Sequence, residues 1–237
     1  MENSKRAARH AIFQLPSSIL AAMIETASGI ILRTRPLTET SLIVHWLTPE
    51  LGRIATVAKG ARRPKSPFAG KLDLFYAADF SFSRSRNSEL HTLREVKLNE
   101  THGAIREDIL KLQQAGYAAA FIEQATETAT PLPETFQLMR GFLNHLCGRK
   151  PQPQNVFALE LKLLRELGLE PDFTETGLTP GAKKVIQTLL ESDWEKGARL
   201  KMSAAQSHEL RQFFHGFLIF HLGRLPRGRA AALAETV

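Results

Sequence analysis

The spacing of apolar residues changes once along the chain, near residue 100. Before that point they fall in short runs bounded by turn formers. Residues 29–33 and 41–48 are rich in Ile, Leu, Val and Trp, the composition of half-buried strands. Pro49-Glu50-Leu51-Gly52 reads as a turn closed by glycine, leading into a third strand over residues 53–58. Residues 73–84 alternate at their end, with Phe80 and Phe82 on one face and Asp79, Ser81 and Ser83 on the other. Asn87-Ser88 reads as a hairpin turn into a fifth strand over residues 89–96. Short strands so closely spaced predict a small barrel, because closure removes exposed edges.

After residue 100 the period becomes helical. Ile105, Ile109, Leu112, Gly116, Ala119 and Ile122 share one face. Phe136, Met139, Leu143 and Leu146 form a second stripe, entered after Pro131 and Pro133. Residues 156–167 are apolar on nearly two faces, which predicts a buried helix ended by Gly168. Thr179-Pro180 is a helix start leading to Val185, Ile186, Leu189 and Leu190. Ser203-Ala204-Ala205-Gln206 is a capping box ahead of Leu210, Phe213, Phe217 and Phe220, with Gly223 closing that helix. The expected fold is therefore α+β, with a β-barrel over residues 23–100 and an all-α domain over 101–237. No apolar run reaches the roughly 18 residues that a membrane span requires.

Residues 1–22 carry Lys5, Arg6 and Arg9, then an apolar stretch broken by Gln14, Pro16, Ser17 and Ser18. That is a weak signal-peptide pattern, and the segment reads as a disordered extension. Patterned sequence begins just after Met23, which makes Met23 a candidate start.

Charge changes the picture more than composition does. The net charge is +7. Residues 1–100 hold 15 Lys and Arg against 9 Asp and Glu, and the remainder holds 16 against 15, so nearly all the excess sits on the barrel half. Arg53, Lys59, Arg62, Arg63, Lys65 and Lys71 fall between Glu50 and Asp73 with no acid among them. Such asymmetry points to a surface for an anionic partner, and five strands with a basic loop are the pattern of an oligonucleotide-binding (OB) barrel. The single cysteine, Cys147, excludes an internal disulfide and a cysteine zinc site, and fits a reducing, cytoplasmic setting.

Catalytic patterns are absent from the chain. Gly70-Lys71 lacks the rest of a phosphate loop, since Lys65 and Leu72 stand where Gly and Ser or Thr are needed. His208, His215 and His221 fall on different turns of one helix, with no carboxylate at ligand spacing. Glu123, Glu127, Glu160 and Glu166 read as solvated helix-face acids, and Cys147 as a core residue. No nucleophile, base and oxyanion site come together, so the expectation is a non-enzyme without metal or cofactor.

One stretch is more specific. Leu32-Arg33-Thr34-Arg35-Pro36-Leu37-Thr38-Glu39-Thr40-Ser41 runs into Leu42-Ile43-Val44-His45-Trp46-Leu47-Thr48. Gly52-Arg53, Val57-Ala58-Lys59-Gly60-Ala61-Arg62-Arg63 and Lys65-Ser66 follow in order. This series, over about residues 24–96, strongly resembles the N-terminal domain of the RecO family of bacterial DNA repair proteins. Residues 161–168 and His221-Leu222-Gly223 are weaker echoes of the family's helical part. The resemblance implies a recombination mediator that binds single- and double-stranded DNA and anneals complementary strands. It implies work with RecR, and with RecF as a further candidate partner, to load RecA on DNA coated by single-stranded DNA-binding protein (SSB). The acidic SSB tail would dock on the helical domain. Many members of the family carry a four-cysteine zinc module that this chain lacks, which removes zinc from its implied cofactors.

Phosphate neutralisation is the expected mechanism. Lys59, Arg62, Arg63, Lys65 and Lys71 would follow the backbone, with Arg33, Arg35 and Arg53 extending the track and Arg84 and Arg86 flanking it. About five neutralised phosphates on a single strand give a slope of log K against log salt near −3.5. Trp46, Phe80 and Phe82 read as barrel core, and Tyr76 or Phe68 as base-stacking candidates. Gly60 and Gly70 read as flexible ends of the loop, and Glu39 as the source of a turn hydrogen bond. Lys162, Arg165, Lys183, Lys184, Arg224 and Arg227 are the cations available to an acidic tail. The expected molecule is a cytoplasmic, nucleoid-associated monomer with no membrane partner. An RNA-binding or ribosome-associated barrel is the alternative, and a scaffold for acidic proteins the third reading.

Overall fold

The computed structural model describes residues 24–173 and 176–234; the expectations for residues 1–22 and for Met23 lie outside them. Five strands run β1 (Ile24–Pro36), β2 (Leu42–Thr48), β3 (Gly52–Ala58), β4 (Ala77–Ser83) and β5 (Leu90–Glu100). They close into a barrel in the order β1-β2-β3-β5-β4. β1 is much longer than its apolar run, because its first half pairs with β4 and its second half with β2. Closure comes from one parallel pairing, β3 with β5, matching Ala55 to Leu90 and Thr56 to His91. The β4–β5 connection spans residues 84–89 rather than the two-residue hairpin turn the sequence suggested.

Ile31, Val44, Trp46, Ile54, Phe80, Phe82, Leu93 and Val96 fill the barrel. Trp46 stacks on Phe80 with ring centroids 4.0 Å apart, and its Nε1–H donates to Thr56 Oγ1 at 2.9 Å. The indole is thus buried with its polar atom satisfied. Phe68, expected to be available for stacking, is 6% exposed and packs into this same cluster. Tyr76 is half-buried, with the Arg106 guanidinium 4.9 Å from its ring centroid. In the β3–β4 connection, Gly60 (φ 70°) and Gly70 (φ 71°) are turn residues in the left-handed region, not loose ends. The Arg63 N–H bonds back to the Gly60 carbonyl at 3.1 Å. In the β1–β2 turn it is Thr38 Oγ1, not Glu39, that accepts the main-chain hydrogen bonds, from Thr40 and Ser41.

The helical part runs α1 (Ile109–Ala125), α2 (Pro133–Gly148), α3 (Pro153–Glu166), α4 (Pro180–Glu191), α5 (Trp194–Ala198), α6 (Ala204–Leu222) and α7 (Arg229–Ala232). None of these described helices is long and apolar enough to cross a membrane. Asp108 caps α1, Thr179 caps α4, and the Ser203/Gln206 capping box opens α6, as side-chain acceptors at a helix start should. α3 is buried almost all round, as its composition requires.

Two apolar stripes are corrected. Ile105 belongs to a separate 3-10 turn and Ile109 is 69% exposed; α1 buries Leu110, Gln114, Ala115, Tyr117, Ala118, Ala119, Phe121 and Ile122 instead. α6 buries Ser207, Leu210, Phe214 and Leu218, leaving Phe213 and Phe217 half-buried and Phe220 83% exposed. Both helices carry apolar or small residues on several sides. Periodicity alone therefore fits more than one face, and the neighbouring helices select the one that is buried.

The barrel and the helices share a core. Ile30 and Leu32 of β1, Leu47 of β2 and Phe75 are buried in the same cluster as Phe121, Phe142 and Leu146. Main-chain bonds reinforce this joint, from the Ala129 N–H to the Arg53 carbonyl (3.0 Å) and from the Leu132 N–H to the Pro49 carbonyl (2.9 Å). Gly52 (φ 63°) lies at the closest approach, where a Cβ would stand 1.7 Å from the Thr130 carbonyl oxygen.

Candidate nucleic-acid interface

A groove of about 830 Å³ crosses the outer face of the barrel beside the joint. Its lining includes the outward residues Ile43 and Ala55, parts of Leu32, Trp46 and Ile54, and the 84–89 connection as a rim. Glu123, Thr128 and Ala129 from the helical side form the opposite wall. Arg33, Arg35, Arg53, Arg84 and Arg86 all line it, so half of the ten cations proposed from the sequence meet at one place.

A β-bulge decides how two of these arginines face. Ile31 points into the barrel and pairs with Trp46. On a regular strand Arg33 and Arg35 would follow it inward, because side chains alternate with period two. The β1–β2 register shifts between Ile31 and Arg33, so that Arg33 pairs with His45 and Arg35 with Ile43, both groove residues. The extra residue, Leu32, turns to the helical core. Bulges re-aim side chains in this way.

The rim is anchored too. The Ser85 N–H bonds His91 Nδ1 at 3.3 Å, and the buried His91 ring stacks on Phe82 at 5.3 Å.

The five arginines are not equivalent. Arg35 and Arg86 are exposed and make no ion pair among the described residues. Arg84 is held by Glu25 through Nε at 2.6 Å and Nη2 at 2.7 Å, and this bond holds the Glu25 carboxyl below its usual range. Arg33 Nε lies 3.3 Å from Glu123 Oε1, without hydrogen-bond geometry. Arg53 is half-buried and committed to the joint, donating to Thr126 Oγ1 (2.8 Å) and to the Thr126 carbonyl (2.5 Å). Burial pulls its pKa down. Arg53 thus ties barrel to helices at one end of the groove and is not available to reach freely along a strand.

His45, at the centre of this face, was not singled out from the sequence. Burial lowers its pKa to about 4, and Arg33, Arg35 and Arg53 add to the effect. Its Nε2 is buried and finds no hydrogen-bond partner among the described residues. Glu25 and His91 were missed as well, and Glu123, read as a solvated helix-face acid, is instead largely shielded with Oε1 buried. The only trace in sequence was the Arg33-x-Arg35 spacing, which says nothing about the acids that approach from other elements.

The loop cations stand apart. Lys59, Arg62, Arg63 and Lys65 are exposed and Lys71 half-buried on the β3–β4 connection, outside the groove lining. Arg62 fastens this loop to the β1–β2 turn, its N–H donating to the Thr40 carbonyl (3.0 Å) and its Nη1 to the Thr38 carbonyl (3.2 Å).

On the helical side, the six cations offered for an acidic tail do not form one cluster. Lys162 is half-buried and donates to the carbonyls of Leu190 (3.2 Å) and Ser192 (2.8 Å). Burial lowers its pKa, with Arg165 contributing. Arg165 pairs with Glu170. These two close the C-terminal end of α4, where cations complement the helix dipole. Lys183 and Lys184 lie in the first half of α4, and Arg224 and Arg227 follow α6. His208, His215 and His221 are exposed on α6, and among the described residues no three His, Cys, Asp or Glu gather as a metal would require. Glu160, read as a solvated acid, is instead fully buried beside Arg229.

Comparison with known families places this architecture. A family model described as "Recombination protein O N terminal" matches residues 23–102, and "Recombination protein O C terminal" matches residues 106–179. The chain belongs to the recombination protein O family. A DNA repair protein RecO from Anaeromyxobacter dehalogenans (strain 2CP-C) is 27% identical over 231 residues, 83% of this chain and 91% of that protein. The RecO of Bacillus subtilis (strain 168) is 31% identical over 63% of this chain and 58% of its own length. That of Rhodopirellula baltica is 33% identical over 60% and 53%. The chain thus matches nearly all of the first relative but less than two thirds of the other two. In family terms the barrel is the RecO N-terminal OB domain, and the groove's helical wall, Glu123, Thr128 and Ala129, falls within the range of the C-terminal model.

Proposed function

We propose that this chain is a non-enzymatic recombination mediator in DNA repair that binds single- and double-stranded DNA through the barrel groove and the neighbouring basic loop. The observation that carries the reading is the convergence of Arg33, Arg35, Arg84 and Arg86 on one groove of an OB barrel, in a chain of the RecO family. Long guanidinium side chains along a groove track phosphates, and base identity matters little to such contacts. Neutralising phosphates also lowers the repulsion between two strands, which is what annealing requires. On this reading the protein anneals complementary strands in the cytoplasm at the nucleoid. With RecR and RecF, it helps load RecA on DNA coated by SSB, whose acidic tail meets the helical part.

The test is annealing of complementary oligonucleotides, naked and coated with SSB, across a salt series. Acceleration in both cases, fading as salt rises, is the expected result. Binding without acceleration, or a preference for RNA, would overturn the mediator reading in favour of an RNA-binding barrel.

A further inference from the structure

Two of the groove's arginines already carry an anion. Glu25 grips Arg84 side-on through two nitrogens, at 2.6 and 2.7 Å. Glu123, reaching across from α1, sits 3.3 Å from Arg33. In each pair the carboxylate is the shielded member. Glu25 and Glu123 side chains are 21% and 20% exposed, against 44% and 51% for Arg84 and Arg33. Arg33, Arg84 and Glu123 line the groove and Glu25 does not, so in each pair the guanidinium is the more accessible partner. The Glu123 pair is also incompletely made, since Oε1 is buried but accepts no hydrogen bond among the described residues.

We propose that Glu25 and Glu123 are internal phosphate surrogates that mask Arg84 and Arg33, so that a polyanionic strand binds only by displacing them. This rests on the groove being the nucleic-acid site.

The physical argument is competition. A half-exposed ion pair contributes only about 0.2–1 kcal/mol, so a phosphate that reaches the guanidinium can replace the carboxylate. The displaced carboxylate is left near the strand and repels it, which costs affinity at each of the two positions. A lone phosphate makes fewer of these contacts than a continuous backbone does, and Arg35 and Arg86, which make no ion pair among the described residues, are open to first contact. The device thus lowers affinity for short anions and keeps it for a continuous backbone that spans all four. It also shallows the salt dependence, because a masked arginine exchanges one anion for another rather than adding a neutralised phosphate.

Fluorescence anisotropy with a labelled thymidine oligonucleotide tests this on the full chain, for E123Q, E25Q and the double variant, with R35A/R86A as the groove control. E123Q and E25Q should each tighten binding about two- to fivefold at low salt and steepen the log K against log salt slope by about 0.7. Adding R33Q to E123Q should abolish its gain, which a merely structural role for Glu123 does not predict. Glutamine keeps the size of glutamate, and Glu25 on β1 and Glu123 on α1 lie on separate elements, so one loss of folding does not remove the test. If R35A/R86A weakens binding while neither glutamine variant tightens it, masking is wrong and the groove reading stands. If R35A/R86A also leaves binding unchanged, the groove reading falls and the masking proposal with it.

Discussion

Arg229 is the cation whose removal should cost this fold most. It lies in α7, 4% exposed, and its Nε and Nη2 bond both oxygens of Glu160 at 2.6 and 3.0 Å. Glu160, on α3, is 0% exposed and also accepts from the Tyr117 hydroxyl at 2.5 Å. Burial opposes the charge on Arg229, but Glu160 outweighs it and raises the Arg229 pKa, while burial and Glu160 push Tyr117 well up. The remaining Arg229 Nη1 holds the Arg211 carbonyl at 3.2 Å. Gln114 and Arg211 in turn hold the Ala232 and Leu233 carbonyls, at 3.1 and 2.7 Å.

Replacing Arg229 with Met preserves the stem and leaves Glu160 as a buried carboxylate without its cation. Breaking such a pair costs about 3–5 kcal/mol, a large part of the 5–15 kcal/mol of a typical domain. With a urea m-value of about 3 kcal/mol/M, the midpoint of R229M should fall by more than about 1 M. Replacing all three polar groups, as in Y117F/E160L/R229M, removes the stranded charge and should recover most of that loss, because a buried pair contributes little over an apolar replacement. Urea unfolding followed by far-ultraviolet circular dichroism gives both numbers. A loss under 1 kcal/mol in R229M, or a triple variant as unstable as the single one, would refute the reasoning.

Other expectations follow from the same geometry. His45 is held neutral down to about pH 4 in the fold but protonates near pH 6.5 when unfolded. The unfolded chain therefore binds more protons between those values, and stability should rise with pH from about 4 to 6.5 and be fully present above it; urea midpoints at pH 5 and 7.5 should differ less in H45Q than in the wild type. G52A places a Cβ against the Thr130 carbonyl at a positive φ, so it should destabilise by more than about 1 kcal/mol; a thermal melt unchanged from wild type would contradict the joint described above. Replacing Arg62, Arg63 and Lys65 together with Ala should weaken DNA binding while leaving the barrel folded, and unchanged affinity at about 50 mM salt would show that the loop takes no part.

The sequence by itself determined the element types and the seat of the positive charge. Strand and helix periods, the Ser203 capping box, Thr179-Pro180 and Gly223 are local signals, set by backbone sterics and by hydrogen bonds within a few residues. Trp46, Phe80 and Phe82 were legible as core for the same reason, since alternation marks one face of a strand. Tertiary structure decided what depends on a neighbour. The buried face of α6 depends on what packs against it, because Phe213, Phe214, Phe217 and Phe220 fit two stripes equally well. Glu160 looked like a surface acid because its partner, Arg229, lies 69 residues away. The groove itself depends on the one-residue slip at Leu32, which turns Arg33 and Arg35 outward against the parity of their own strand. Side-chain period is local, but register is fixed by pairing with another strand, and only the closed barrel supplies that pairing.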